Sequence, residues 1–204
     1  MPLDLAQLRA RMPGRNLVWL DTTPTTMLEA ARLAADGAAS GTLVVAEEQT
    51  AGQGRQGKTW RSERELGLYV SLLLRPALGG VSLQLVTLAA GLAAQEAVYR
   101  VAGITCQIKW PNDLLYTGRK CGGILCRTAD AAVIAGVGIN VNHEFFPSEL
   151  EETAISLRMA TGRPHSREDL LAALAESVDN YCGLLERQGA GAILRLYAGR
   201  ARPR

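Results

Sequence analysis

Apolar residues recur along the chain with two spacings, and each spacing predicts a different kind of element. Short apolar or alternating runs predict strands, and these runs cover residues 16–21, 42–49, 66–76, 104–110, 113–116, 120–128 and 131–141. Helical spacing of the apolar positions predicts helices over residues 24–36, 82–103, 167–188 and 189–198. Adjacent strands with flanking helices predict an α+β domain whose sheet is mixed or antiparallel.

Helix-capping residues and short turns mark the predicted element boundaries. Thr23 before Pro24 predicts an N-cap, because proline is well suited to the first helical position. The second helix begins after Ser82 and ends at Gly103, the typical residue types for the two ends. The turns "TGR" and "AD" join the last three strands into a meander.

Composition favours one compact domain and excludes several classes of protein. The chain has 204 residues, 48% of them hydrophobic, and its 22 basic and 20 acidic residues nearly balance, which does not indicate a nucleic-acid surface. Its four cysteines and two histidines show no zinc-ligand spacing, so reduced thiols are expected. The N-terminus has no signal pattern and no window could span a bilayer, so we expect a cytoplasmic protein without a membrane partner.

The stretch 49–60, "QTAGQGRQGKTW", predicts a loop that closes over an anion. Its glycines are Gly52, Gly54 and Gly57, and its cations are Arg55 and Lys58. Glycine lets the backbone approach a ligand, and backbone N–H groups with nearby cations form an anion site. The stretch does not satisfy the P-loop pattern. By itself, a mobile surface connection is the commoner explanation.

Two later stretches add polar residues at strand corners. In 109–125, "KWPNDLLYTGRKCGGIL", a hairpin would bring Asp113 and Lys120 to one site, and glycines inside the following strand indicate a close approach. In 136–142, "GVGINVN", two glycines in an apolar strand again indicate a close approach, and Asn140 and Asn142 offer amide hydrogen bonds. An ordinary hairpin with a bulge and a solvated ion pair would explain the first of these stretches equally well.

Together, in order and spacing, the three stretches resemble the catalytic domain of biotin protein ligases. The family pattern GRGRxGRxW stands here as "GQGRQGKTW" after Gln49, and KWPNDL, GIL and GxGINxN also match. The resemblance covers about residues 16–190 and implies the α+β fold of biotin/lipoate ligase catalytic domains. Three positions depart from it: Gln53 replaces the first loop arginine, Lys58 replaces a later one, and Arg127 replaces a frequent acidic residue.

The resemblance implies ATP-dependent ligation of biotin to a lysine of a biotin carboxyl carrier protein through biotinyl-5′-AMP. It implies Lys120, Arg55 and Asp113 as catalytic residues, with Asp113 also a candidate Mg²⁺ ligand. The implied contacts to biotin and the adenylate come from Thr22, Thr23, Gln49, Gly52, Gln53, Gly54, Arg55, Lys58, Trp60, Asn112, Lys120, Gly122, Gly123 and Asn140. Helix capping by Thr22 and Thr23, core packing of Trp60 and a purely structural Asp113 are the alternatives.

Three other functions compete with the ligase. A lipoate or octanoate transferase has the same fold, although the loop and KWPND pattern are not expected in it. A non-catalytic biotin-binding regulatory protein would explain the loss of charge at Gln53. A nucleotide-binding domain with an accidental resemblance is the third.

The resemblance also shapes expectations about domains and partners. Residues 1–15 are too few for the N-terminal DNA-binding domain of some relatives, so we expect no DNA binding. We expect residues 1–204 to form a single catalytic domain, with the family's usual small C-terminal β-barrel absent or truncated. The implied partner is the carrier domain of a carboxylase, and either a monomer or a homodimer remains open.

Overall fold

The computed structural model describes residues 1–75 and 82–200, and a seven-stranded sheet forms its centre. Its strands are β1 (Leu17–Thr23), β2 (Leu43–Gln49), β3 (Gly67–Leu74), β4 (Gln107–Lys109), β5 (Asp113–Tyr116), β6 (Arg119–Ala129) and β7 (Ala132–Asn140). They lie in the order β1-β2-β3-β7-β6-β5-β4. Strands β1 and β2 are parallel and every other pair is antiparallel. The predicted α+β class with a mixed sheet is confirmed; Pro76, expected to end the third strand, lies outside the described residues.

Helices cover both faces of this sheet. They are α1 (Leu5–Arg11), α2 (Thr26–Ala35), α3 (Leu83–Ala102), α4 (Leu157–Thr161), α5 (Arg167–Gln188) and α6 (Ala190–Arg200). Successive residues of a strand face opposite sides: Leu43 and Val45 join the core formed with α3 and α5, whereas Val44 packs with Met27 of α2. None of the helices within the described ranges combines the length and apolar character needed to cross a membrane.

The predicted caps of α3 are confirmed, but the predicted cap of α2 is wrong. The Ser82 hydroxyl accepts a hydrogen bond from the Gln84 amide at 3.2 Å, and Gly103 ends the helix with a φ of 71°. The N-cap of α2 is Thr25 rather than Thr23. Thr23 is the last residue of β1, where it pairs with Gln49 of β2. This long-range pairing extends the strand up to the proline, so that Thr23 belongs to β1 and the helix begins later.

A buried ion pair holds the C-terminal end of β2 in place, just before the glycine loop. Glu47 of β2 is fully buried, and its Oε2 lies 2.8 Å from Nη1 of the nearly buried Arg167 of α5. The other oxygen accepts from the Leu3 amide at 2.6 Å and from Trp19 Nε1 at 3.1 Å. This carboxylate therefore joins β1, β2, α5 and the N-terminal segment two residues before Gln49.

Candidate active site

The glycine loop between β2 and β3 is a closed turn whose tip faces solvent. Gln53 and Thr59 form an antiparallel bridge, and the Gly54 amide donates to the Lys58 carbonyl at 2.6 Å. Between them Arg55–Gly57 form a short 3₁₀ turn, in which Gln56 and Gly57 have φ values of 57° and 74°. A left-handed conformation at two successive residues favours glycine at one of them.

Lys120 lies at the centre of the site, beside a carboxylate and an indole. Its ammonium nitrogen is 2.7 Å from Asp113 Oδ1 and 5.3 Å from the centre of the Trp60 ring. The β5–β6 hairpin brings the two charged residues together, and a bulge beside Leu115 shifts the register so that Lys120 pairs with Leu115. The predicted meeting of Asp113 and Lys120 is confirmed.

The Asn112 carboxamide connects the loop to this pair. Arg55 Nη1 donates to Asn112 Oδ1 at 3.2 Å. Asn112 Nδ2 donates to Asp113 Oδ1 and to the Ile124 carbonyl, both at 3.2 Å. One amide therefore holds the exposed loop cation close to the Lys120–Asp113 pair.

Glycines of β6 and β7 make room for the Trp60 indole. A Cβ at Gly138 would lie 2.5 Å from Trp60 Cε2, and one at Gly123 would lie 3.2 Å from Trp60 Cζ3. The ring thus lies almost on the backbone of these strands. Gly122 differs, because its Cβ would meet Leu114 Cδ1 on the core side of the sheet at 3.2 Å.

Two cavities meet at Trp60 and Lys120, which line both. The first cavity lies between α2, the glycine loop, β6 and β7, and is lined by Thr25, Thr26, Met27, Gln49, Gln53, Gly54, Arg55, Trp60, Val70, Asn112, Lys120, Gly123, Ile124, Leu125, Gly136, Val137 and Gly138. The second is lined by Lys58, Thr59, Trp60, Arg61, Lys109, Asp113, Leu115, Gly118, Lys120, Asn140, His143, Phe146, Leu150, Glu152, Thr153 and Ala154. A molecule spanning both would pass the Lys120 ammonium.

A chain of polar side chains supports the wall of the first cavity. Gln49 Oε1 accepts from the Thr26 amide at 2.8 Å and from Thr26 Oγ1 at 3.2 Å. Gln49 Nε2 donates to Ser62 Oγ at 2.8 Å. Thr26 Oγ1 also lies 2.8 Å from Ser71 Oγ of β3. The Gln49 amide therefore satisfies one of the unpaired N–H groups at the start of α2.

The structure brings most of the predicted site residues to these two cavities. In the first are Gln49, Gln53, Gly54, Arg55, Trp60, Asn112, Lys120 and Gly123. The second adds Lys58, Asp113 and Asn140. Which of these residues contact a ligand stays a prediction. Asn140 also has a structural role, since its Nδ2 donates to the Lys120 and Ile155 carbonyls, both at 3.3 Å.

Four predicted residues lie elsewhere. Thr22 is exposed on β1 and Thr23 ends that strand; the residues of this segment that line the first cavity are Thr25 and Thr26. Contact of Thr22 and Thr23 with a ligand stays a prediction. Gly52 is buried beneath the Trp60 carbonyl, and Gly122 faces the core. Sequence reasoning also missed Ser62, Ser71 and His143. A single serine in the otherwise apolar run of β3 was the one available signal, because a buried hydroxyl needs a partner.

The second cavity is rich in cations. The three lysines of the chain, Lys58, Lys109 and Lys120, all line it. Arg61 adds a fourth cation, whereas the lining residues include two carboxylates, those of Asp113 and Glu152. Such a surplus of positive charge favours a polyanion.

A buried histidine closes one side of the second cavity. His143 is 2% exposed, stacks on Phe146 with ring centres 5.0 Å apart, and has no hydrogen-bond partner for Nδ1 within the described residues. Burial lowers the pKa of His143 below its usual 6.5, so its ring is neutral at pH 7.

The described residues contain no cluster of three His, Cys, Asp or Glu side chains that could hold a metal ion. Mg²⁺ commonly binds through one or two carboxylates together with waters and substrate phosphates. The carboxylates among the residues that line the second cavity are Asp113 and Glu152.

Comparison with known proteins assigns the chain to a family. Residues 19–143 match the Biotin/lipoate A/B protein ligase family, and the chain belongs to that family. The bifunctional ligase/repressor BirA of Bacillus spizizenii is 39% identical over 171 residues, which cover 80% of this chain and 53% of that protein. The chain thus spans about half the length of this relative.

Other relatives match over more of their own length. The biotin–acetyl-CoA-carboxylase ligase of Paracoccus denitrificans is 31% identical over 193 residues, covering 89% of this chain and 79% of that protein. The solved structure of the Aquifex aeolicus biotin protein ligase in complex with biotin and ATP superposes with a TM-score of 0.83 at 30% identity. That match covers 91% of this chain and 78% of the other.

Proposed function

We propose that the chain catalyses ATP-dependent ligation of biotin to a lysine of a carrier protein. In the first step a biotin carboxylate oxygen attacks the α-phosphorus of ATP, the bond to the β-phosphate oxygen breaks, and biotinyl-5′-AMP and pyrophosphate form. In the second step a carrier lysine attacks the acyl carbon, AMP leaves and the amine loses a proton. The observation that carries this proposal is the position of Lys120 on both cavities.

The two cavities suit the two substrates. The first offers an N–H of the Gln49 amide and the Trp60 indole, against which the biotin rings would pack. The second offers cations for a triphosphate. The Aquifex aeolicus relative, solved in complex with biotin and ATP, supports this pair of substrates.

Lys120 would act where the two anions meet. A carboxylate and a phosphate oxygen about 4 Å apart repel by roughly 4 kcal/mol at an effective dielectric constant of 20. An ammonium held between them offsets that repulsion and is fixed before reaction by Asp113 at 2.7 Å. Lys120 therefore serves as the electrostatic catalyst, and Asp113 orients it.

The glycine loop would protect the intermediate. An acyl-adenylate hydrolyses in water, so a loop that folds over it preserves it for transfer. Arg55 is the loop cation that Asn112 holds beside the Lys120–Asp113 pair. Gln53, also on the cavity wall, would offer the intermediate only a neutral hydrogen bond, which is weaker than that of an arginine.

A nucleotide-bound Mg²⁺ ion would neutralise phosphate charge, with Asp113 and Glu152 as its carboxylates in the second cavity. The acceptor we propose is the biotin carboxyl carrier domain of a carboxylase. The names of the Mycobacterium tuberculosis and Paracoccus denitrificans relatives, biotin–acetyl-CoA-carboxylase ligases, support this acceptor. The need for ATP favours a cytoplasmic location.

Biotin-dependent exchange of pyrophosphate into ATP tests the first step without a carrier. We expect exchange by the wild type, loss of exchange in Lys120→Ala, and partial recovery in Lys120→Arg, which keeps the charge but changes its geometry. Arg187→Ala, on the C-terminal turn of α5, is the matched control for removing a cation.

Ligand-dependent melting distinguishes the competing functions. Biotin should raise the melting temperature and lipoate should not, since a ligand stabilises the state that it binds. Stabilisation by lipoate alone would contradict the substrate. Stabilisation by biotin without any exchange would indicate a non-catalytic biotin-binding protein.

A further inference from the structure

We propose that Ser71, which touches neither cavity, is a positioning residue for biotin binding. It acts through the Thr26 hydroxyl on the carboxamide of Gln49, and it reinforces the orientation that the Thr26 backbone N–H sets for that amide. The inference rests on the proposed function for the identity of the ligand. The relay itself depends on hydrogen bonds among four buried or half-buried side chains of α2, β2, β3 and the glycine loop.

The orientation of the Gln49 amide follows from a backbone donor. The Thr26 N–H can only donate, and it lies 2.8 Å from Gln49 Oε1. The oxygen therefore faces the start of α2, and the NH₂ group faces Ser62 Oγ at 2.8 Å. An amide turned the other way would oppose two N–H groups.

The direction of the remaining protons follows in turn. Because Gln49 Oε1 is an acceptor only, the Thr26 hydroxyl 3.2 Å away must donate to it. Thr26 Oγ1 then has no proton left for Ser71 Oγ at 2.8 Å, so Ser71 is the donor there. At the other end, Ser62 accepts from Gln49 and donates to the Trp60 carbonyl at 3.4 Å. Protons thus point one way along the whole chain.

The hydrogen bond to Thr26 accounts for the position of the Ser71 hydroxyl. It is fully buried in β3 between Val44 of β2 and Gly136 of β7. In the part of the chain that the structure describes, its hydroxyl has no hydrogen-bond partner other than Thr26. A buried hydroxyl in an apolar strand is unfavourable unless it is hydrogen-bonded.

The consequence is a donor of fixed direction on the cavity wall. One Gln49 N–H is used by Ser62, and the second has no acceptor among the described residues. Since Gln49 lines the first cavity, this N–H is available to a ligand acceptor such as a carbonyl oxygen of the biotin ring system. Without Ser71, Thr26 could rotate its hydroxyl away from Gln49. The Gln49 oxygen would then keep only the Thr26 N–H as a donor, and the amide would be held less firmly.

Isothermal titration with biotin tests the relay in a double-mutant cycle. We expect Ser71→Ala to raise the Kd about three- to tenfold, the range of one hydrogen bond, and to raise the KM for biotin in pyrophosphate exchange without lowering kcat. In a Gln49→Ala background Ser71→Ala should have no further effect, because coupled residues are not additive. The control is Ser177→Ala, which removes another fully buried hydroxyl, one without a partner in the described residues.

An unchanged Kd in Ser71→Ala, or an equal loss in the Gln49→Ala background, would overturn the inference. A second cycle without biotin separates it from the proposed function: the loss of stability in urea caused by Ser71→Ala should shrink when Gln49 is also alanine. A wild type that binds no biotin would refute the proposed function. Additive stabilities in this second cycle would refute the relay.

Discussion

Replacing Gly138 by alanine should displace the indole that separates the two cavities. The new Cβ would lie 2.5 Å from Trp60 Cε2 and 2.6 Å from Nε1. Ordinary van der Waals contact begins near 3.4 Å, so the ring must retreat by about 1 Å. Overpacking of this kind costs about 1–3 kcal/mol of stability. Lys120, 5.3 Å from the ring centre, would lose its packing surface at the same time.

Urea unfolding and biotin-dependent pyrophosphate exchange measure the two effects. We expect Gly138→Ala to lower the free energy of unfolding by this amount and to slow exchange about 10- to 100-fold, as a misplacement of about 1 Å can. Gly199→Ala is the control: its Cβ meets nothing within 4 Å, and its helical position should be neutral or slightly stabilising.

The Trp60→Ala background identifies the cause. If the indole is the obstacle, Gly138→Ala should be nearly neutral once the ring is removed. A stability loss of the same size in both backgrounds would show that backbone freedom at Gly138 matters instead. Normal pyrophosphate exchange by Gly138→Ala alone would refute the inference that displacement of the indole slows the reaction.

Three further predictions concern the loop, the core and pH. Gln53→Arg should hold more labelled adenylate on the protein after gel filtration, because a charged donor binds the intermediate more tightly. Arg167→Ala should lose about 3–5 kcal/mol in urea by leaving its buried carboxylate partner unpaired, while Arg100→Ala, in an exposed pair, should lose less than about 1 kcal/mol. Burial lowers the pKa of His143 and of His165 below 6.5, so the unfolded chain takes up protons first as the pH falls. The free energy of unfolding should therefore fall below about pH 6.5. His143→Gln should flatten that fall; an unchanged slope would contradict it.

The sequence predicted elements whose signals are local. The β5–β6–β7 meander and the helix capped by Ser82 follow from turns and caps a few residues long. The cap at Thr23 failed because pairing with Gln49, distant in sequence, decides where β1 ends. Local signals also miss part of the site. Residues 143–156 have no periodic pattern, yet the backbone of Lys120 is hydrogen-bonded to Thr153 and Ile155 of this segment.

The sequence predicted which charged and glycine-rich stretches come together in the fold, and it gave no sign of the neutral hydroxyls beside them. Lys120, Asp113 and Arg55 belong to short motifs that point to a common site. Thr26 and Ser71 do not, because a threonine at a helix start and a serine in a strand are ordinary until the structure shows the Gln49 amide between them. Hydrogen-bond partners from three different elements carry no signal in any one segment.

The gathering of every lysine around one cavity has a practical consequence. The protein has no other ε-amino group, so amine-directed crosslinkers, fluorescent esters and biosensor coupling can attach only at the N-terminus or at the rim and wall of the second cavity. Immobilisation through amines would therefore cover the proposed nucleotide entrance. Attachment through an added cysteine or an affinity tag leaves that entrance free, and protection of these three amines by a nucleotide would report its binding directly.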